Sequence, residues 1–211
     1  MGLPAPLRRA VLALRRASHK VVEPAAGVET SAKVALDDFG LSTRDRVDYA
    51  PSGWLDLRHG LRRGGVSDDD VFLDLGSGKG RVVLLAARYP FKRVIGVELA
   101  PHLTAVARRN VDRFRPALRC REVELVTADI VRYRVPDDVS VVYMFNPFHG
   151  PVFDAAIGAL IASVDWRPRA VRLIYRRPEN HDRLMRTGRF RLVRSLAGRA
   201  LHEYELVDAA G

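Results

Sequence analysis

The chain has 211 residues, 47% hydrophobic and 28% charged, with a net charge of +10; that balance excludes a disordered chain, and no apolar run approaches the roughly 20 residues of a bilayer-spanning helix. A domain of this size buries roughly 70% of the surface of its unfolded chain without a metal or disulfide staple, and the single cysteine, Cys120, excludes an intramolecular disulfide or a cysteine metal cluster and fits a reducing, cytoplasmic setting. The positive charge points first to nucleic acid, but apart from Lys20, Lys33, Lys79 and Lys92 the 35 basic residues are arginines scattered among apolar residues as on solvated faces, so charge alone does not establish that partner.

Residues 1–22 read as a basic amphipathic helix, with Leu7, Val11 and Leu14 on one face and Arg8, Arg9, Arg15 and Arg16 elsewhere. Such a helix suits packing on the domain; the alternatives are a peripheral membrane contact or an organellar address. No apolar run followed by a small-residue cleavage site is present, so a secretory signal is not expected. Residues 23–50 are mixed and carry no repeat. A helix is predicted after Ser52, through Trp54, Leu55, Leu57 and Leu61, with Gly64 or Gly65 ending it.

From residue 70 the pattern alternates. Strands are predicted at Val71–Leu75, Val94–Val97, Val123–Val126, Val139–Phe145 and Ala170–Tyr175, and helices at Gly80–Tyr89, Pro101–Phe114, Val152–Ser163 and Glu179–Thr187. Apolar runs without strict alternation fit strands covered on both faces, hence a parallel sheet. Phe190–Leu196 and Ala200–Val207 are separated by only three residues, so they form an antiparallel hairpin. Residues 1–60 are then a basic N-terminal cap, and 61–211 the main domain.

The first strand runs into Gly76-Ser77-Gly78-Lys79-Gly80-Arg81. Glycines let a ligand approach the backbone closely. A P-loop fails on spacing, because Leu73 stands where its first glycine belongs and Gly80 where its Ser or Thr belongs. A dinucleotide fingerprint fails at its sixth position, which is Arg81; a nicotinamide-dependent oxidoreductase is therefore disfavoured. What remains is Gly76, Gly78 and Gly80, with Asp74 two residues before the first glycine. Glu98 ends the second strand about 20 residues on, where an acid can accept from ribose hydroxyls, and Asp129 follows the third.

This arrangement resembles the class I S-adenosylmethionine-dependent methyltransferases, whose first motif is hydrophobic-Asp-hydrophobic-Gly-x-Gly-x-Gly. The resemblance spans about residues 45–207. It implies an α/β, Rossmann-like seven-stranded sheet of order 3-2-1-4-5-7-6, strand 7 antiparallel, with an N-terminal helical cap. It also implies S-adenosyl-L-methionine as cofactor and no metal. Asp74, Gly76, Ser77, Gly78 and Gly80 would hold its amino-acid and ribose parts, Glu98 the ribose, Leu99 and Ile130 would pack by the adenine, and Asp129 would accept from the adenine amino group. Tyr49-Ala50-Pro51-Ser52 looks like the pre-sheet loop of some lysine methyltransferases outside the SET class, with Tyr49 and Ser52 bordering the cofactor's methionine end; the alternative is a helix start with Ser52 as N-cap.

The fourth strand ends in Asn146-Pro147-Phe148-His149. This looks like a shortened Asn-Pro-Pro-aromatic motif of amino-group methyltransferases, lacking one proline. Asn146 would border the cofactor and position the acceptor, and Phe148 would pack on that acceptor; otherwise Pro147 merely turns the strand and Phe148 covers the core. His149 is a candidate general base for a hydroxyl acceptor, or an ordinary surface histidine. An amino nitrogen of a protein or small molecule is the favoured acceptor. The alternatives are O-methylation of a small metabolite, RNA methylation, or a cofactor-binding regulator without turnover.

Overall fold

Val71–Leu75 (β1) is buried along its whole length, its four apolar residues and Asp74 alike, as a strand with both faces covered must be. In the computed structural model, which describes residues 28–31, 35, 37, 40–41, 44–61, 65–196, 198 and 200–207, β1 is central to a seven-stranded sheet. Its partners are Arg93–Glu98 (β2), Glu122–Thr127 (β3), Val139–Met144 (β4), Val171–Arg176 (β5), Phe190–Leu196 (β6) and Leu201–Leu206 (β7). The order is β3-β2-β1-β4-β5-β7-β6, with β1 to β5 parallel and β7 antiparallel to both neighbours. The expected sheet plan is the one observed.

Alternation along the strands builds two cores. Val71, Leu73, Leu75, Val142, Met144 and Leu173 meet Phe153, Ile157, Leu160 and Val164 of one helix, Gly150–Trp166. Phe72, Val94, Val141, Tyr143 and Ile174 face the other way, onto Asp56–Leu61 (α1), Arg81–Ala86 (α2) and Val111 of Pro101–Phe114 (α3). The helix Gly150–Trp166 is α4, and His181–Met185 is α5. Among the described residues no helix is long and apolar enough to cross a membrane.

Several boundaries move for physical reasons. The first helix begins at Asp56, not after Ser52: Asp56 accepts from Gly53 N–H at 2.9 Å, while Ser52 Oγ accepts from Tyr143 instead of capping. Helix α2 stops at Ala86, where Tyr89 N–H bonds Ala86 O in a tightened turn before Pro90. Helix α4 starts earlier than predicted, at Gly150 with φ +50° and Pro151 in its first turn, and runs on to Trp166. Just before β4, Asp138 accepts from Arg93 of β2 at 2.7 Å. The amphipathic stretch of residues 1–22, the glycine stop at Gly64, and Ala197 and Arg199 of the hairpin lie outside the described residues. Among the described residues before Asp56 there is no α-helix; 44–55 run over the carboxyl end of the sheet as a strap.

Candidate active site

Registry sets the tips of β1, β2 and β4 side by side: Leu75 pairs with Val97 and Met144. The connections leave β1 in opposite directions there, which opens a crevice at the carboxyl edge. The glycine loop folds across it. Gly76, Gly78 and Gly80 all have left-handed φ, at +79°, +53° and +80°. Side chains are also excluded by contact: a Cβ on Gly76 would lie 2.6 Å from the Pro147 side chain, and one on Gly78 would lie 2.1 Å from the Tyr49 ring. Gly76 and Ser77 N–H donate to Val97 O, and Gly78 N–H donates to Glu98 Oε2 at 2.8 Å. Glu98 Oε1 accepts from Ala100 N–H at 2.9 Å, so this carboxylate ties the loop to the tip of β2.

Two acids sit together, and among the described residues neither forms an ion pair with a cation. Burial raises the Asp74 pKa well above the usual carboxylate range, and the charge of Glu98 adds to the shift. Glu98 is also raised by burial, against the pull of its backbone N–H donors. Ser77 Oγ, also lining the crevice, is buried without a hydrogen-bond partner among the described residues. Buried acids and an orphan hydroxyl are costly in an empty site and suit a polar, cationic ligand.

The crevice holds a cavity of about 270 Å³. Of the residues predicted to act, Tyr49, Ser52, Asp74, Gly76, Ser77, Glu98, Leu99, Asp129, Ile130, Asn146, Phe148 and His149 line it, while Gly78 lies behind the Tyr49 ring and Gly80 against Ala107. Asp129 accepts from Val131 N–H at 3.2 Å and pairs with Arg46 at 2.6 Å. Phe148 is buried against Phe153 as well as bordering the cavity, with ring centroids 6.5 Å apart. Asn146 adopts φ +43° and is buried, its Oδ1 accepting from the Tyr175 hydroxyl at 2.9 Å. Asn180 Nδ2 donates to Tyr175 Oη at 3.0 Å and to Phe148 O at 3.2 Å. Because that nitrogen can only donate, His149 Nδ1, 3.2 Å away, faces it as an acceptor.

Sequence reasoning missed the residues that fasten this arrangement. Arg81 is buried, donating to Thr30 Oγ1 and Ser52 O and lying over the Trp54 ring at 4.7 Å. Lys79 pairs with Glu29 at 2.6 Å, away from the cavity. Tyr143, Tyr175, Asn180, Arg46 and Glu179 had no motif to mark them; only the period-2 placement of Tyr143 opposite Asp74 hinted at its facing the crevice.

Residues 72–176 match a family model described as a methyltransferase domain. A curated relative, a protein-lysine N-methyltransferase of Saccharolobus islandicus (strain REY15A), is 34% identical over 68 residues, which is 32% of this chain and 42% of that protein; the match thus spans less than half of the relative's length. A solved RNA methyltransferase from Salinibacter ruber, in complex with S-adenosyl-L-homocysteine, superposes with a TM-score of 0.56 at 22% identity, covering 74% of this chain and 92% of that one. The ribosomal protein L11 methylase of Lactobacillus delbrueckii subsp. bulgaricus superposes with a TM-score of 0.53 at 12% identity, covering 72% and 75%. At such identities the two structures share the fold. The cavity fits S-adenosylmethionine in kind: buried carboxylates stand where a cationic, hydroxyl-bearing nucleoside would lie, and Ser77 Oγ lacks a partner. Sheet order, glycine loop and domain match together give this chain the class I methyltransferase fold, with residues 72–176 matched as its methyltransferase domain.

Proposed function

We propose that the protein methylates an amino nitrogen of a protein or small molecule. One observation carries this reading: the crevice is acidic in a basic protein. Asp48, Asp74, Glu98, Asp129 and Glu179 line it against Arg46, Arg81 and Arg177, although the chain carries +10. A negative, partly desolvated cleft attracts a cationic amine and repels phosphate, which favours an amine over RNA. The lysine-methylating relative points the same way.

The cofactor supplies a methyl group on a cationic sulfonium. This chain's residues then need mainly to align a lone pair, since alignment supplies much of the rate. Asn146 Oδ1 accepts from Tyr175 Oη at 2.9 Å and, at 3.4 Å, from Asn180 Nδ2; an acceptor N–H would take the place of the longer contact. The amine reaches the site as a cation and releases its proton to water before attack. A hydroxyl acceptor would need a base, and the candidate, His149, has its Nδ1 3.2 Å from the Asn180 amide, whose two hydrogens also face Tyr175 Oη and Phe148 O. Within the N-terminal 60 residues, Arg46, Tyr49 and Ser52 of the strap cap the cofactor and help choose the acceptor. The cytoplasm is the proposed compartment, on the strength of the single cysteine, which is buried as a free thiol.

The test is transfer of labelled methyl into a whole lysate, followed by size separation and hydrolysis. Label in methylated amines of protein or small metabolites is expected; label in RNA or in methyl ethers would contradict the proposal. Asn146→Ala should lower kcat by at least about tenfold while leaving cofactor affinity within about twofold. Unchanged turnover would remove its positioning role.

A further inference from the structure

We propose that Arg46 is a positioning residue that sets the cofactor's nucleobase specificity, holding Asp129 so that the site accepts a 6-aminopurine and rejects a 6-oxopurine. This rests on the reading that Asp129 meets the adenine amino group.

The backbone of Arg46 is fixed on the far side of the crevice. It forms an antiparallel bridge with Phe148, flanked by Val47 N–H to Pro147 O at 3.0 Å and His149 N–H to Asp45 O at 2.8 Å. Its side chain then crosses to the tip of β3, where Nη2 lies 2.6 Å from Asp129 Oδ2. The two side chains are 19% and 32% exposed, so the pair is shielded enough to hold one geometry. Asp129 Oδ1 accepts from Val131 N–H. A carboxylate offers about four lone-pair sites and no donor when ionised. Arg46 takes one on Oδ2 and Val131 one on Oδ1, which together restrain the rotation of the carboxylate, and both Arg46 and Asp129 line the cavity. The remaining lone pair on Oδ1 can meet an exocyclic N–H but opposes a carbonyl oxygen. Without Arg46 the carboxylate is free to turn towards water, and that opposition fades.

The probes are S-adenosyl-L-homocysteine and its 6-oxo analogue, S-inosyl-L-homocysteine, in calorimetric titrations of the full chain. The wild-type protein should prefer the adenosyl compound by on the order of 10- to 100-fold, as expected for one discriminating hydrogen bond at a partly exposed site. Arg46→Ala should cut that ratio by about tenfold, and Arg46→Lys, which keeps the charge but not the fork, should fall between. Asp129→Asn, whose amide can also donate, should abolish the preference. If Arg46→Ala weakens both ligands equally and keeps the ratio, Arg46 only braces the strap and the inference is overturned. Equal binding of both ligands by the wild-type protein, or an unchanged preference in Asp129→Asn, removes the adenine reading of Asp129 itself.

Discussion

Asp74 was marked in the sequence by its place before the glycines, but its environment was not. It lies fully inside the protein beside Glu98, and both carboxyl groups are raised, Asp74 from its ordinary 3.8 and Glu98 from 4.5. A carboxyl group with a raised pKa binds a proton more tightly folded than unfolded, so its stabilising contribution is complete below the unfolded value and is lost as pH rises through the folded one. The ligand-free protein should therefore become less stable from mildly acidic to neutral pH through these two groups. A cationic cofactor favours the ionised acids, so its affinity should rise over the same window. Asp74→Asn should flatten both dependences and stabilise the ligand-free protein while weakening the cofactor. Thermal melts and calorimetry across pH 4–8 check this; an unchanged affinity profile in the variant would remove Asp74 from the cofactor site.

At the scale of elements, α1 is the hinge between strap and sheet. Asp56 at its start pairs with Arg176 at the tip of β5, Oδ2 to Nε 3.0 Å, with side chains 3% and 8% exposed. Arg176 also donates to Ala200 O and lies over the Phe145 ring at 5.4 Å. Gly60 lets α1 close on Ile174, where a Cβ would come within 2.7 Å. Removing one partner of a buried pair strands the other charge, so Asp56→Ala should lower unfolding free energy by about 3–5 kcal/mol in urea denaturation. A loss below about 1 kcal/mol would mean the pair does not anchor the strap. The inner strands were legible because burial on both faces writes itself as apolar runs, and the edge strand β6 because the short gap to β7 marks a hairpin; β1 and β6 match residue for residue, as does α3. The strap was not. Residues 44–55 are held by single long-range contacts, such as Arg46 to Asp129 and Tyr143 to Ser52, and such contacts leave no period in the sequence.

For the whole molecule, the candidate cofactor crevice could be read from three acids that recur at three successive strand tips, and the sheet order followed from the resemblance those motifs carry. The fastening of the cap could not, because Lys79, Arg81 and Asn110 look like surface residues by type. In the fold they are buried, tying residues 28–31 to the glycine loop and to α3. Charge gave a mixed signal for the same reason: an excess of arginine covers the outside, while the crevice collects acids. The acceptor loop sits between these levels. Asn146 was legible by motif, but its bracing by Tyr175 and Asn180 depends on β5 lying beside β4.

The most direct measurement of the central claim is a crystal structure of the full chain with S-adenosyl-L-homocysteine. The ligand should lie over the tips of β1, β2 and β3, its ribose within hydrogen-bonding reach of Glu98 and its sulfur turned towards Asn146. Density for the ligand away from that crevice, or in it with the ribose directed away from Glu98, would contradict the account.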